Sequence, residues 1–108
     1  METSLPISFQ IILHGGNARS LSLEAIRFAK NGKMEEALES LKQAKEELGL
    51  AHQIQTTLIQ DEAADNKTEI NLLLIHAQDH LMNAITVREL AEEFISLYKK
   101  IDTMQMPL

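Results

Sequence analysis

Apolar positions along the 108-residue chain recur at steps of three and four, and nowhere alternate with period two over strand length. A first stripe, Ile7, Ile11, Ala18, Leu21, Ala25 and Phe28, lies between Pro6, which suits a helix start, and Asn31-Gly32, which reads as a helix stop. A second runs from residue 33 to about residue 63 through Met34, Ala37 or Leu38, Leu41, Ala44, Leu48, Ala51, Gln55, Leu58 and Glu62. That is roughly 30 residues, or about 45 Å at the helical rise, a length that suggests a bundle or coiled coil. Ala64-Asp65-Asn66-Lys67 follows as a short polar connection, with Asn66 or Thr68 as the next cap. The third stripe is Ile70, Leu73, Leu74, Ala77, Leu81, Ala84, Ala91, Ile95, Tyr98 and Ile101, on a helix expected over about residues 68–100. Residues 103–108 are expected to fray. The pattern predicts an all-α fold of three long antiparallel helices in a single domain spanning residues 1–108.

The third helix carries more apolar surface than one chain can cover. At about 100° per residue, Leu72, Ile75, Met82 and Ile85 fall opposite its main stripe, so residues 70–87 are apolar nearly all round. Such a helix must be buried all round, and two neighbours in the same chain cannot surround it. A closed cyclic oligomer with this helix near the axis would do so; the alternative is a flattened monomer with an exposed groove. Gly15-Gly16 interrupts the first stripe at a cost of roughly 2 kcal/mol in helix propensity. Close helix–helix contact is the favoured reason, and room for a ligand the other.

Composition narrows the partners. Apolar residues make up 44% and charged residues 24%, as in ordinary globular proteins, and a net charge of −6 with no basic stripe argues against nucleic acid. Cysteine is absent, which excludes disulfides and thiolate metal sites and fits a reducing compartment. Met1-Glu2 begins neither a basic region nor a long apolar run, and the most apolar window contains His76, Asp79 and His80, a poor membrane span. The expectation is a soluble, cytoplasmic protein with no direct membrane insertion. The acidic and basic side chains of the second helix, Glu35, Glu36, Glu39, Lys42, Lys45 and Glu46, read as a solvated face.

Candidate chemistry concentrates in Leu72-Leu73-Leu74-Ile75-His76-Ala77-Gln78-Asp79-His80-Leu81-Met82. His76, Asp79 and His80 share one helical face, with Asn83 a turn further on. Polar capacity inside an apolar helix has a desolvation cost and calls for a reason. We read His76 as a phosphoryl-accepting nucleophile, because a neutral imidazole offers a nitrogen lone pair near neutral pH. His80 could donate a hydrogen bond or orient the acceptor. Gln78 points elsewhere, toward a neighbouring subunit's site or a structural bond. Asp79 could orient a ring or bind a metal; near a symmetry axis, like carboxylates are unfavourable together unless protonated or holding a cation. Two alternatives stand beside this reading. The cluster could merely fix the interface of a non-catalytic scaffold. Alternatively, His76-Ala77-Gln78-Asp79-His80 could be a variant of the H-x-x-E-H zinc motif, although Asp replaces Glu and no third ligand is evident. His14 and His52 lack a comparable cluster and read as structural or exposed, and Gln55 on the second stripe as a buried amide that fixes register.

The chain resembles the enzyme IIA components of the lactose/cellobiose type (chitobiose included) in the phosphoenolpyruvate-dependent sugar phosphotransferase system. The resemblance extends from about Ile11 to Tyr98 and rests on Gly15-Gly16-Asn17-Ala18-Arg19-Ser20, Ala51-His52, Gln55-Thr56, Leu58-Ile59 and above all Leu72 through Met82. It implies a phosphoryl relay in which the phosphocarrier HPr phosphorylates His76, which passes the group to a cysteine of the cognate IIB component during uptake of a disaccharide. It further implies a homotrimer, with Asp79 binding a divalent metal, usually magnesium, on the threefold axis, and with Gln78 and His80 near the phosphohistidine. The number three comes from the resemblance alone. At Ala64-Asp65 the family pattern leads us to expect a glycine in the helix turn; its absence bears on turn geometry and not on the site.

Overall fold

Three helices occupy the computed structural model, which describes residues 6–104: α1 (Ile7–Lys30), α2 (Met34–Ala63) and α3 (Leu72–Thr103). No strand occurs among the described residues. The helices run up, down and up, and α1 lies between the other two, packing along both while α2 and α3 touch less. α1 and α3 are therefore parallel. Ile11 clusters with Ala77 and Leu81 at one end, Ala18 with Ala84 in the middle, and Ala25 and Ala29 with Ala91 and Ile95 at the other.

Both turns follow from local chemistry. At the end of α1, Lys33 N–H donates to Phe28 C=O and Gly32 N–H to Ala29 C=O, with Gly32 at φ 78°, the left-handed closure that glycine favours. α2 ends the same way: Asn66 N–H donates to Asp61 C=O and Asp65 N–H to Glu62 C=O, but the left-handed position, φ 68°, is held by Asp65. The glycine expected at this turn is thus replaced by a residue type that tolerates the region at some cost. Asp65→Gly should raise stability by about 0.5–1 kcal/mol in chemical denaturation. The Lys67 Nζ contact to Asp65 at 4.0 Å is too solvent-exposed to offset this. An unchanged or lower midpoint would show that the aspartate is not strained.

Five sequence expectations are corrected here. α3 begins at Leu72, not near residue 68, because Asn71 is the better cap: its backbone is extended (φ −139°, ψ 173°) and its Oδ1 accepts the Leu74 N–H at 2.8 Å. Asn66 cannot cap α3, since it closes α2. Ile70 consequently lies outside the helix and is 69% exposed. Ile85, placed on the outer side of α3, instead packs against the cluster of Ile11, Ala51, Leu58, Ala77 and Leu81. At the other end, Thr103 is still helical and Met104 caps the helix, with Thr103 Oγ1 donating to Lys100 C=O; residues 105–108 lie outside the described residues.

The core is built chiefly from alanine. Ala18, Ala25, Ala29, Ala37, Ala44, Ala51, Ala77, Ala84 and Ala91 are buried, joined by Ile11, Leu41, Leu58, Leu81 and Ile95. Small side chains let the helices approach closely. Gly15 completes this contact: a methyl group there would meet Leu81 Cα at 3.6 Å and the His80 carbonyl at 3.7 Å, whereas Gly16 faces open space. The bulky apolar side chains point outward instead. On α3, Leu72, Ile75, Met82, Leu90, Leu97 and Ile101 are all exposed, Leu72 to 81%. Their steps of three, four, seven and eight, with Asp79 among them, trace a seam along one side of the helix. Nothing among the described residues covers it.

Candidate functional site

His76 stands on the second turn of α3, exposed, next to the uncovered seam. Its ring meets that of His80, one turn on, edge to face: the centroids are 4.7 Å apart and the planes 77° apart. Asp79 is exposed on the seam itself. Together with Asn83, Val87 and Arg19 of α1, these three residues line a cleft of about 330 Å³. The structure therefore brings His76, Asp79 and His80 to one place, and adds a cation from another helix that the spacing of the third stripe could not reveal. Arg19 falls in the Gly15 to Ser20 run, where the glycines drew attention rather than the charge. Gly15 lies against α3 at His80 and Leu81, and Arg19 follows it by one helical turn.

Gln78 turns away from this cleft. Gln55 Nε2 on α2 donates to its Oε1 at 2.6 Å, a half-buried bond that ties α2 to α3. In a single chain, Gln78 thus makes the structural bond and does not line the cleft with His76. Metal ligation has a similar limit. Among the described residues no three His, Cys, Asp or Glu side chains are grouped to hold an ion. Asp79 supplies one carboxylate per chain, a hard oxygen donor that suits a magnesium-type cation only if other copies add theirs.

The remaining histidines are engaged elsewhere or solvated. His14 Nδ1 lies 3.1 Å from Glu47 Oε1, which also accepts from Asn17 Nδ2 at 2.8 Å, joining α1 to α2 on the opposite side of α1 from Arg19. His52 is exposed. The Asn17 hydrogen bond, aided by His14 and opposed by burial, lowers the Glu47 carboxyl below its ordinary range. A lowered folded-state pKa means that the unfolded chain binds this proton more readily. The stabilisation is then present above the ordinary glutamate range and lost as the pH falls through it and below. Glu47→Gln should cost up to about 1 kcal/mol near neutrality, and its difference from wild type should shrink on acidification. A difference independent of pH would remove the charge from the explanation.

The family model for the lactose/cellobiose-specific IIA subunit of the phosphotransferase system matches residues 6–99. The chain belongs to this family. It is 61% identical over 95 residues to the lichenan-specific phosphotransferase enzyme IIA component of Bacillus subtilis, covering 88% of this chain and 86% of that protein. The crystal structure of the cellobiose-specific enzyme IIA of Bacillus anthracis superimposes with a TM-score of 0.90 at 61% identity, over 97% of this chain and 96% of that one. The IIA(chitobiose) chain of Escherichia coli, solved in complex with HPr, gives a TM-score of 0.77 at 38% identity, over 89% and 93% of the two chains. The chain is accordingly a sugar-specific phosphoryl-transfer component of the phosphotransferase system. No helix among the described residues is long and apolar enough to cross a membrane.

Proposed function

We propose that His76 accepts a phosphoryl group from phospho-HPr and passes it to a cysteine of the cognate IIB component, in the cytoplasm, for uptake of a disaccharide of the lactose, cellobiose or chitobiose class. The observation that carries this reading is the exposed ring of His76 in a cleft that also presents His80, Asn83 and Arg19. The E. coli relative solved with HPr supports the donor. In the first transfer, a ring nitrogen of His76 forms an N–P bond as the donor's N–P bond breaks. The donor imidazole leaves with that electron pair, and each ring keeps the hydrogen on its other nitrogen. In the second, the acceptor sulfur forms an S–P bond, the His76 ring recovers its electron pair, and the thiol proton goes to solvent. His80 supports the group on His76 by hydrogen bonding.

The exposed seam of α3 is the surface on which three copies associate, which places Asp79 of each near the axis. Its carboxylates would hold a divalent cation, magnesium by donor chemistry, whose charge offsets their mutual repulsion. Gln78 does not line the cleft of its own chain and supports the site across the interface or through its bond to Gln55. Incubation with phosphoenolpyruvate, enzyme I and HPr tests the central claim. It should yield an acid-labile, alkali-stable phosphate that peptide mapping places on His76, and labelling of any other residue would sink it.

A further inference from the structure

We propose that Arg19 is a phosphoryl-binding residue, holding the oxygens of the group carried on His76 and thereby stabilising the phosphorylated form. The inference rests on the assignment of His76 as acceptor. Arg19 is the cation that α1 contributes to the cleft lined by His76, Asp79, His80, Asn83 and Val87. It is exposed, and no carboxylate among the described residues lies in ion-pair range of it; the pairs formed are His14–Glu47, Lys67–Asp65 and Arg88–Glu92. In a chain of net charge −6, an arginine left without a partner next to Asp79 is available for another anion.

The chemistry of the step creates that anion. A phosphoryl group brings about two negative charges into a cleft that already contains the Asp79 carboxylate. The remaining lining groups, the two imidazoles and the Asn83 amide, donate hydrogen bonds but carry no fixed positive charge. A guanidinium is permanently charged and presents paired N–H donors that match phosphate oxygens. It is also placed by rigid elements. Gly15 of α1 packs beside the His80 and Leu81 backbone, and Arg19 follows one turn later on the same helix. The N–P bond exchange is unchanged by this contact; Arg19 neither gives nor takes a proton and acts on the charge of the transferred group.

The test is the equilibrium of phosphoryl exchange with HPr, measured with full-length wild type, Arg19→Gln and Arg19→Lys. Stabilisation of the phosphorylated form predicts that Arg19→Gln shifts the equilibrium roughly tenfold toward phospho-HPr. Arg19→Lys, which keeps a point charge, should recover part of the shift. The phosphorus resonance of the purified phosphoprotein should move in Arg19→Gln. A role confined to docking HPr, or to the fold, would slow transfer equally in both directions and leave the equilibrium constant and the resonance unchanged, and that result overturns the proposal. Wild type that takes up no phosphate on His76 would instead remove the assignment on which the proposal rests. Labelled wild type with an unaltered equilibrium in Arg19→Gln removes only the arginine's part.

Discussion

His76→Ala is expected to take up no phosphoryl group from phospho-HPr, a loss of more than about a hundredfold in labelling. The expectation follows from what the cleft contains. Alanine leaves the helix intact, because it is the strongest helix former and the position is exposed. The only other nucleophilic ring there is His80, whose centroid lies 4.7 Å from that of His76. If His80 served merely as a donor to the transferred group, His80→Ala would keep the label on His76 and slow its appearance roughly tenfold to a hundredfold. Label migrating to His80 in the His76 variant would mean that the two rings share the acceptor role. The stability of the bond separates a further possibility. Phosphohistidine is acid-labile and alkali-stable, whereas an alkali-labile phosphate would point to the Asp79 carboxylate in the same cleft. Neither His14, held by Glu47, nor the solvated His52 has companions that could support a phosphoryl group.

The cluster on α3 was legible because its residues are close in sequence. One helical turn joins His76 to His80, so the 3.6-residue period alone puts them on one face. Arg19 was not legible in that way. Its place in the cleft with His80 depends on how α1 and α3 register, and that register shows only in contacts between helices distant in sequence, such as Gly15 against the His80 and Leu81 backbone. Gln78 shows the same limit. The period states that it points away from His76, but not that Gln55, one helix earlier in the chain, donates to it. Helix ends were the weakest reading. Asn66, Thr68 and Asn71 are all competent caps, and the choice fell to Asn71 because Asn66 was already committed to closing α2 over Asp65.

The composition of the core explains why the apolar pattern overshoots what one chain buries. A stripe is read from hydrophobicity, yet in this fold the inward positions are mostly alanine and the outward ones leucine, isoleucine, methionine and phenylalanine. Close packing of small residues makes a thin sheet of helices, 64 × 32 × 20 Å in extent. Many of its large apolar side chains lie on its surface, those of α3 arranged as a seam with a carboxylate in it. In the proposed trimer that arrangement would link the proposed phosphoryl site to assembly, because His76 is immediately beside the seam on which Asp79 sits.

Leu90→Glu should convert the assembled protein to monomers in sedimentation velocity, while Asp79→Leu should leave the trimer intact or tighter. Both residues lie on the exposed seam of α3, and in an isolated chain both changes are at the surface; Leu90 is 52% exposed there. A surface substitution away from special contacts changes stability by less than about 0.5 kcal/mol. In a trimer the outcome is different. Each Leu90→Glu chain would bury a carboxylate opposite two others, and an uncompensated buried charge costs on the order of 3–5 kcal/mol. Asp79→Leu runs the opposite way: in the proposed trimer it would replace three like charges at the axis with apolar contact and delete the carboxylate proposed to hold a metal. The pair therefore distinguishes a seam buried by symmetry from a seam left to solvent. Equal effects of the two changes would deny that Asp79 and Leu90 share an interface. A monomeric wild type would deny the interface altogether, and the coupling between assembly and the His76 cleft with it.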